Sequence, residues 1–160
     1  MLTTLLAAAV VSFFETTIAQ WAALVVFLPM ISAVGGNAGM QSLTVVVRGL
    51  AVGDVAPGDS MRAIRKELAI GLTNGFVLGL AIGLLAFGWK GSLLLGLVAG
   101  AAMMLNQVIG ALSGVAVPFG LHKCGIDPAM ASSIFVTTIT DVVGFLVFLG
   151  LAALVLRAFA

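Results

Sequence analysis

A single carboxylate stands in the middle of the most apolar part of this sequence. Asp141 is the only ionisable residue between Ala129 and Leu156. An apolar run of this length predicts a membrane-spanning helix, and a carboxylate near its centre costs about 2.5–3.5 kcal/mol on insertion scales. Ser133 and Thr137 precede Asp141 at successive intervals of four, so a helix places all three on one face. We interpret this polar stripe as the wall of an aqueous or ionic pathway.

A second polar stretch interrupts an earlier apolar segment. Pro29 removes a helix hydrogen-bond donor, and the glycine-rich run 35–39 follows within two turns. Asn37 and Gln41 are four residues apart, and Thr44 lies close to the same helical face. Two hypotheses are open. The first, which we favour, is a kink whose freed carbonyls and polar side chains line a pore or site; the second is a hinge used only for packing.

The apolar segments contain no basic residue, so the sequence provides no intramembrane ion-pair partner for Asp141. A cation or a proton is then the expected partner. The hydroxyl and amide oxygens of the two polar stretches are hard donors, which suit Mg²⁺, Ca²⁺ or Mn²⁺ better than soft metals. The candidate metal-site residues from these patterns are Asp141, Thr137, Ser133, Thr44, Asn37 and Gln41.

Composition places these residues in a membrane protein. Of the 160 residues, 62% are hydrophobic and 8% are charged. In typical soluble domains, about 45–50% of the residues are apolar and about 25% are charged. Lipid cannot form hydrogen bonds with the free backbone N–H and C=O groups at the edge of an open β-sheet. The apolar runs also lack the alternation of apolar and polar residues that is typical of barrel strands. We therefore predict an all-α polytopic fold. Five apolar segments predict five transmembrane helices, within residues 1–14, 21–47, 68–89, 92–117 and 129–156. Because a span needs about 20 residues, we expect the sequence to begin inside a longer first helix.

Nearly all of the charged residues, Glu67 among them, are assigned to the separators between the apolar segments. Five of the seven Lys and Arg residues lie in the loops 48–67 and 118–128, and the other two lie on the opposite side. This bias predicts that both loops and the N-terminus are cytoplasmic and that the C-terminus lies outside the inner membrane. The net charge of +1 argues against nucleic-acid binding.

Glycines recur at intervals of four in the third and fourth apolar segments. This spacing predicts close helix packing in lipid, with a substrate groove as the alternative. The residues are Gly71, Gly75, Gly79 and Gly83, then the pairs Gly96 and Gly100, and Gly110 and Gly114.

Two separated motifs resemble the MgtE magnesium channels. The run PMISAVGGNAGMQSLTVVVRGLAVGD, residues 29–54, is similar to the second-helix signature of that family. The run GIDPAMASSIFVTTITDVVG, residues 125–144, is similar to its last helix, with the DPA start and the TTxxDxxG core. FETTIAQ, residues 14–20, fits its first loop. The resemblance spans nearly the whole chain, and the predicted five-span count agrees with it.

The resemblance implies a homodimer in the lipid bilayer with an ion pathway between the subunits. Asp141 matches the aspartate that holds hydrated Mg²⁺ in that pore, one from each subunit, so Mg²⁺ is the expected transported and pore-bound ion. Thr44, Thr137 and Ser133 match pore-lining positions. Asp127 matches a carboxylate that helps to bind regulatory Mg²⁺ at the cytosolic face in relatives. Other divalent cations remain candidates for transport.

The sequence also departs from the family. Met40, Ser133 and Ile134 stand where many relatives have Asn, Asn and Pro, and these changes concern the selectivity of the pore. Family members usually carry a large acidic cytosolic N-terminal region with nucleotide-sensing modules, which this sequence does not contain. We therefore expect residues 1–160 to be the transmembrane pore domain alone, as a piece of a longer protein or as a naturally short relative.

The sequence predicts a divalent-cation channel or transporter that passes Mg²⁺ down its electrochemical gradient, and not an enzyme. An exchanger that trades Mg²⁺ for Na⁺ or H⁺, with Asp141 titrating, is the main alternative. A metal-dependent intramembrane enzyme is less favoured, because such chemistry generally needs clustered carboxylates or a His or Glu base. A structural anchor would not need a buried carboxylate.

Overall fold

Six α-helices form the computed structural model of this chain over the residues that it describes, 1–54 and 60–159. In chain order they are α1 (Leu2–Phe13), α2 (Glu15–Gln20), α3 (Leu24–Val52), α4 (Ser60–Lys90), α5 (Leu93–Lys123) and α6 (Pro128–Phe159). The prediction of an all-α fold is confirmed.

Within the described residues, the four helices α3 to α6 are long and apolar enough to cross a membrane. The shortest of them has 29 residues, or about 44 Å of helix, against roughly 30 Å of hydrocarbon. The 12 residues of α1 reach only about 18 Å, and the chain turns at Phe14 into α2. The multi-pass membrane fold is therefore confirmed with four candidate spans, and the predicted fifth span is not shown.

The bundle is built around α5, which is the most buried of the four long helices. It packs against α3, α4 and α6, whereas α4 packs almost entirely on α5 and scarcely touches α3. An apolar core that includes Phe27, Met103 and Phe148 joins α3, α5 and α6. The short helix α1 lies along α6.

Glycines allow α4 to lie close against α5. A Cβ atom added to Gly79 would lie 2.7 Å from the backbone oxygen of Gly100, and one added to Gly83 would lie 3.0 Å from that of Gly96. Side chains at these positions would separate the two backbones, which in lipid are held together mainly by close packing. The packing interpretation of the glycine repeat is confirmed.

The second apolar segment forms one continuous helix, α3, and is not broken at the proline or at the glycine-rich run. α3 is helical from Leu24 to Val52 and contains Pro29 within it. Gly35 lies against the side chain of Asn106, and a Cβ atom on Gly39 would lie 2.6 Å from Cγ1 of Val136. These two buried glycines admit neighbouring helices, so they serve packing and do not line an open pathway.

Candidate ion pathway

Asp141 lies half-buried between α6 and α3, where Ser32 is its hydrogen-bond partner. Oγ of Ser32 donates to Oδ1 of Asp141 at 2.5 Å. A carboxylate has about four lone-pair sites, so this bond leaves most of its acceptor capacity for an ion or for the water around an ion. Ser32 was not among the predicted site residues. Its place as a polar residue in an apolar segment, about one turn before the glycine-rich run, was the available signal.

The threonine hydroxyls of the predicted pathway donate their hydrogen bonds to backbone carbonyls of their own helices. Oγ1 of Thr44 donates to the carbonyl oxygen of Met40 at 2.8 Å, and Oγ1 of Thr137 donates to that of Ser133 at 2.9 Å. Because the proton is used in each case, the lone pairs of the hydroxyl oxygen remain as acceptors. Water bound to Mg²⁺ presents hydrogens outward, so such a wall suits a hydrated cation.

Two adjoining grooves between α3 and the start of α6 bring three of the predicted residues to one side of the chain. Thr44 and Ser133 line a groove of about 370 Å³. It adjoins a second groove of about 450 Å³ that is lined by Asp127 and His122. The two share the residues Val47, Ala51, Pro128 and Ala129. The grooves therefore form a continuous surface along the first two turns of α6, and Asp141 and Thr137 line neither of them.

Asn37 and Gln41 are exposed, and the structure does not gather them into that groove. Asn37 lies near the middle of α3 on the same helical face as Thr44 and Arg48. Gln41 borders a different cavity, which lies between α3, α4 and α5. The exposed face of α3 is thus a polar stripe, Asn37, Gln41, Thr44 and Arg48, within a helix long enough to span a membrane.

Asp127 begins α6 and is exposed. Its Oδ1 accepts a hydrogen bond from the backbone N–H of Ala129 at 2.9 Å, which satisfies one of the free N–H groups at the helix start. It precedes Asp141 by fourteen residues, or about 21 Å of helix. Asp127 and Asp141 of one chain therefore belong to separate sites.

Asn106 of α5 holds α3 and α6 in position around Asp141. It is fully buried, and its Nδ2 donates to the carbonyl oxygen of Ile31 at 2.8 Å, so it joins α5 to α3. Its side chain fits between Gly35 and Gly144, where an added Cβ would collide with it. Ile31 adjoins Ser32, so this contact lies directly beside the Ser32–Asp141 hydrogen bond.

Glu67 is the residue that sequence reasoning placed wrongly. It was grouped with the charges between segments, but it is 7% exposed, and Ser42 donates a hydrogen bond to its carboxylate. Its position directly after Lys66 suggested exposure, because a run of charged residues normally marks the solvated end of a membrane helix. Throughout the described residues, no three His, Cys, Asp or Glu side chains converge on one point. This part of a single chain therefore offers no metal site built from three such ligands.

Comparison with known proteins supplies the family. The family model MgtE, described as a divalent cation transporter, matches residues 28–151, which include both sequence motifs. The chain is 36% identical over 148 residues to the magnesium transporter MgtE of Bacillus subtilis (strain 168), covering 92% of this chain and 33% of that protein. It is 37% identical over 152 residues to the magnesium transporter MgtE of Enterococcus faecalis, covering 95% and 34%.

A third relative, the magnesium transporter MgtE of Thermus thermophilus, is 35% identical over 161 residues, covering 99% of this chain and 35% of that protein. The chain thus spans about a third of the length of the relatives that it matches. The matched family consists of transporters, which confirms the prediction that the chain is not an enzyme. The chain belongs to the MgtE family of divalent cation transporters.

Proposed function

We propose that this chain is the membrane part of a Mg²⁺ transporter in which two copies form a pore. The observation that carries the proposal is the exposed polar stripe of α3. Asn37 lies near the middle of a 29-residue helix and is exposed in the single chain. An amide facing lipid at that depth is costly, so the stripe needs a polar neighbour. A second copy that covers this face would create a water-lined path between the subunits.

Charge balance also favours two copies. One Asp141 is a poor trap for a divalent ion in about 0.15 M salt, which screens charges beyond about 8 Å. Two carboxylates across a two-fold axis match the charge of Mg²⁺, and a symmetric homodimer is the commonest closed assembly. Mg²⁺ loses its water reluctantly. The acceptor oxygens of Thr44 and Thr137 would therefore hold the ion through its water shell, and the binding would stay weak enough for release.

The membrane potential supplies the driving force in this proposal. It contributes about 2.3 kcal/mol per elementary charge per 100 mV, and so about twice that for an inward-moving divalent ion. The basic residues beside α3, α4 and α5 favour a cytoplasmic position for the loops 48–67 and 118–128, with this chain in the inner membrane of the cell. The C-terminus is then outside, and the N-terminus is cytoplasmic if α1 counts as a fifth span. Asp127 would bind regulatory Mg²⁺ at the inner mouth.

Crosslinking tests the shared pathway. In the full-length protein with the exposed Cys124 replaced by Ser, we expect Asn37→Cys to form dimers with a short bismaleimide in membranes. Bound Mg²⁺ should slow the reaction because the ion and its water occupy the path. The control is Thr73→Cys, on the exposed side of α4, which should stay monomeric. Thr140, near Asp141 on α6, is not a suitable position for a crosslinking cysteine because it is fully buried within its own chain.

Flux measurements complete the test. The same protein in liposomes should carry Mg²⁺ at a rate set by voltage and unchanged by gradients of Na⁺ or pH. A strictly monomeric protein that still conducts Mg²⁺ would contradict the dimeric pore. Dependence of the flux on a Na⁺ or pH gradient would favour the exchanger.

A further inference from the structure

Glu67 is a second buried carboxylate, and it lies away from the candidate pathway. It sits two turns into α4, and its Oε2 accepts a hydrogen bond from Oγ of Ser42 in α3 at 2.5 Å. Because α4 packs along α5 and scarcely touches α3, this bond crosses a gap between α3 and α4. Neither the family match nor the proposed pore assigns a role to this carboxylate.

The gap is a cavity of about 160 Å³, which we call the Glu67 cavity. Its polar lining residues are Gln41, Ser42, Glu67, Asn74 and Gln107. Gln107 is 2% exposed, and its side-chain oxygen is buried without a hydrogen-bond partner in the described part of the chain. A buried polar atom of this kind normally has a partner, so the cavity has an acceptor to offer as well as a carboxylate.

A groove of about 210 Å³ gives access to the Glu67 cavity from the charged end of α4. It shares Val45 and Glu67 with the cavity and is also lined by Asp54, Arg62 and Lys66. The formal charges of its four ionisable residues cancel, two positive against two negative. An entering cation therefore meets no net charge in the groove, and Glu67 is the carboxylate that the groove shares with the cavity and its amide side chains.

We infer that the Glu67 cavity is a second cation site, which takes one alkali-metal ion such as Na⁺. One carboxylate balances one positive charge, and carboxylate, amide and hydroxyl oxygens are hard ligands. A divalent ion would leave one positive charge unbalanced beside the single carboxylate of the cavity. Mg²⁺ also gives up its water reluctantly. A bound monovalent ion would link α3, α4 and α5 at the place where α3 and α4 otherwise barely meet.

The test is a cation titration of unfolding, which does not depend on transport. The full-length protein is held in detergent with EDTA, and Na⁺ or K⁺ replaces N-methyl-D-glucamine at constant ionic strength. We expect the unfolding temperature to rise and to saturate with the alkali ion, as it does for any ligand that binds only the folded state. Asp141→Asn should keep the rise, which separates this site from the proposed pore.

Two variants locate the binding. Glu67→Gln should lose the rise, because its amide oxygen still accepts from Ser42 but the charge is gone. Gln107→Met keeps the size of the side chain and removes the amide, so it should raise the half-saturating concentration of the alkali ion several-fold. If Glu67→Gln fails to fold, Gln107→Met provides the test. Lys66→Ala should lower that concentration by removing a nearby positive charge. An unfolding temperature indifferent to Na⁺ and K⁺, or a rise that Glu67→Gln and Gln107→Met leave unchanged, would overturn the inference.

Discussion

Ser32 and Asp141, 109 residues apart in sequence, are joined by a hydrogen bond of 2.5 Å that links α3 to α6. The neighbouring carbonyl of Ile31 accepts a hydrogen bond from Asn106 of α5. Three helices therefore meet beside the one carboxylate in the middle of α6. This arrangement holds the carboxylate in a fixed direction before any ion arrives, which is a general requirement for a precise binding site.

Replacing Ser32 with Ala separates the orientation of Asp141 from its charge. We expect Ser32→Ala to lower Mg²⁺ flux into proteoliposomes several-fold, because the carboxylate keeps its charge but loses its fixed direction. Asp141→Asn should abolish the flux, because it removes the charge that balances the ion. The control is Ser12→Ala, at an exposed position of α1, which should leave the flux unchanged. Undiminished Mg²⁺ flux in Asp141→Asn would contradict the assignment of Asp141 to the ion pathway.

Asn106 and Asn37 offer a matched pair of amides with opposite roles. We expect Asn106→Ala to reduce the free energy of unfolding by about 1–3 kcal/mol, because it empties a buried site and removes a hydrogen bond between α5 and α3. Asn37→Ala should leave stability nearly unchanged and alter Mg²⁺ flux, because Asn37 is exposed on the polar stripe. Denaturant titration and flux assays on both variants measure this contrast. Equal loss of stability in the two variants would contradict it.

Two glycines of α4 test the close contact with α5. Gly79→Ala would place its Cβ 2.7 Å from the backbone oxygen of Gly100. The helices must then separate, at a cost of about 1–3 kcal/mol. Gly88→Ala makes the same change where no described atom lies within 4 Å, and it should be neutral or stabilise the helix by up to about 1 kcal/mol. Unfolding temperatures in detergent would show the difference, and a Gly79→Ala protein as stable as the unmodified one would contradict the packing interpretation.

The sequence predicts the large features of this molecule because lipid leaves few alternatives. Four long apolar segments must be helices, and a lone carboxylate within one of them needs a polar partner. The stripe of Ser133, Thr137 and Asp141 followed from helical periodicity alone. The exposed polar face of α3 followed from the spacing of Asn37 and Gln41 in the same way.

Features that depend on pairing between distant helices could not be read from periodicity. The glycine-rich run 35–39 was expected to belong to a kink that lines a pore or site, but the space beside Gly39 is filled by Val136. Glu67 follows Lys66 and reads as an interfacial charge, yet α3 covers it through Ser42. The sequence shows whether a residue is small or charged, but its neighbours depend on how the helices pack, which periodicity does not predict.

The last prediction separates two roles of Asp127. The carboxylate caps α6 through the N–H of Ala129, and the proposed function also has it bind regulatory Mg²⁺. Asn caps a helix about as well as Asp, whereas loss of the cap to Ala costs about 0.5–2 kcal/mol. Asp127→Asn should therefore keep the unfolding temperature, and Asp127→Ala should lower it.

Both variants of Asp127 lose the negative charge, so both should weaken the response of the full-length protein to cytosolic Mg²⁺. We expect the Mg²⁺ concentration for half-maximal effect on flux to rise about tenfold, which corresponds to about 1.4 kcal/mol of lost binding. The control is Asp54→Asn, at another exposed carboxylate on the side that we assign to the cytoplasm. If Asp127→Asn kept both its stability and an unchanged Mg²⁺ response, Asp127 would act as a helix cap and not as a metal ligand.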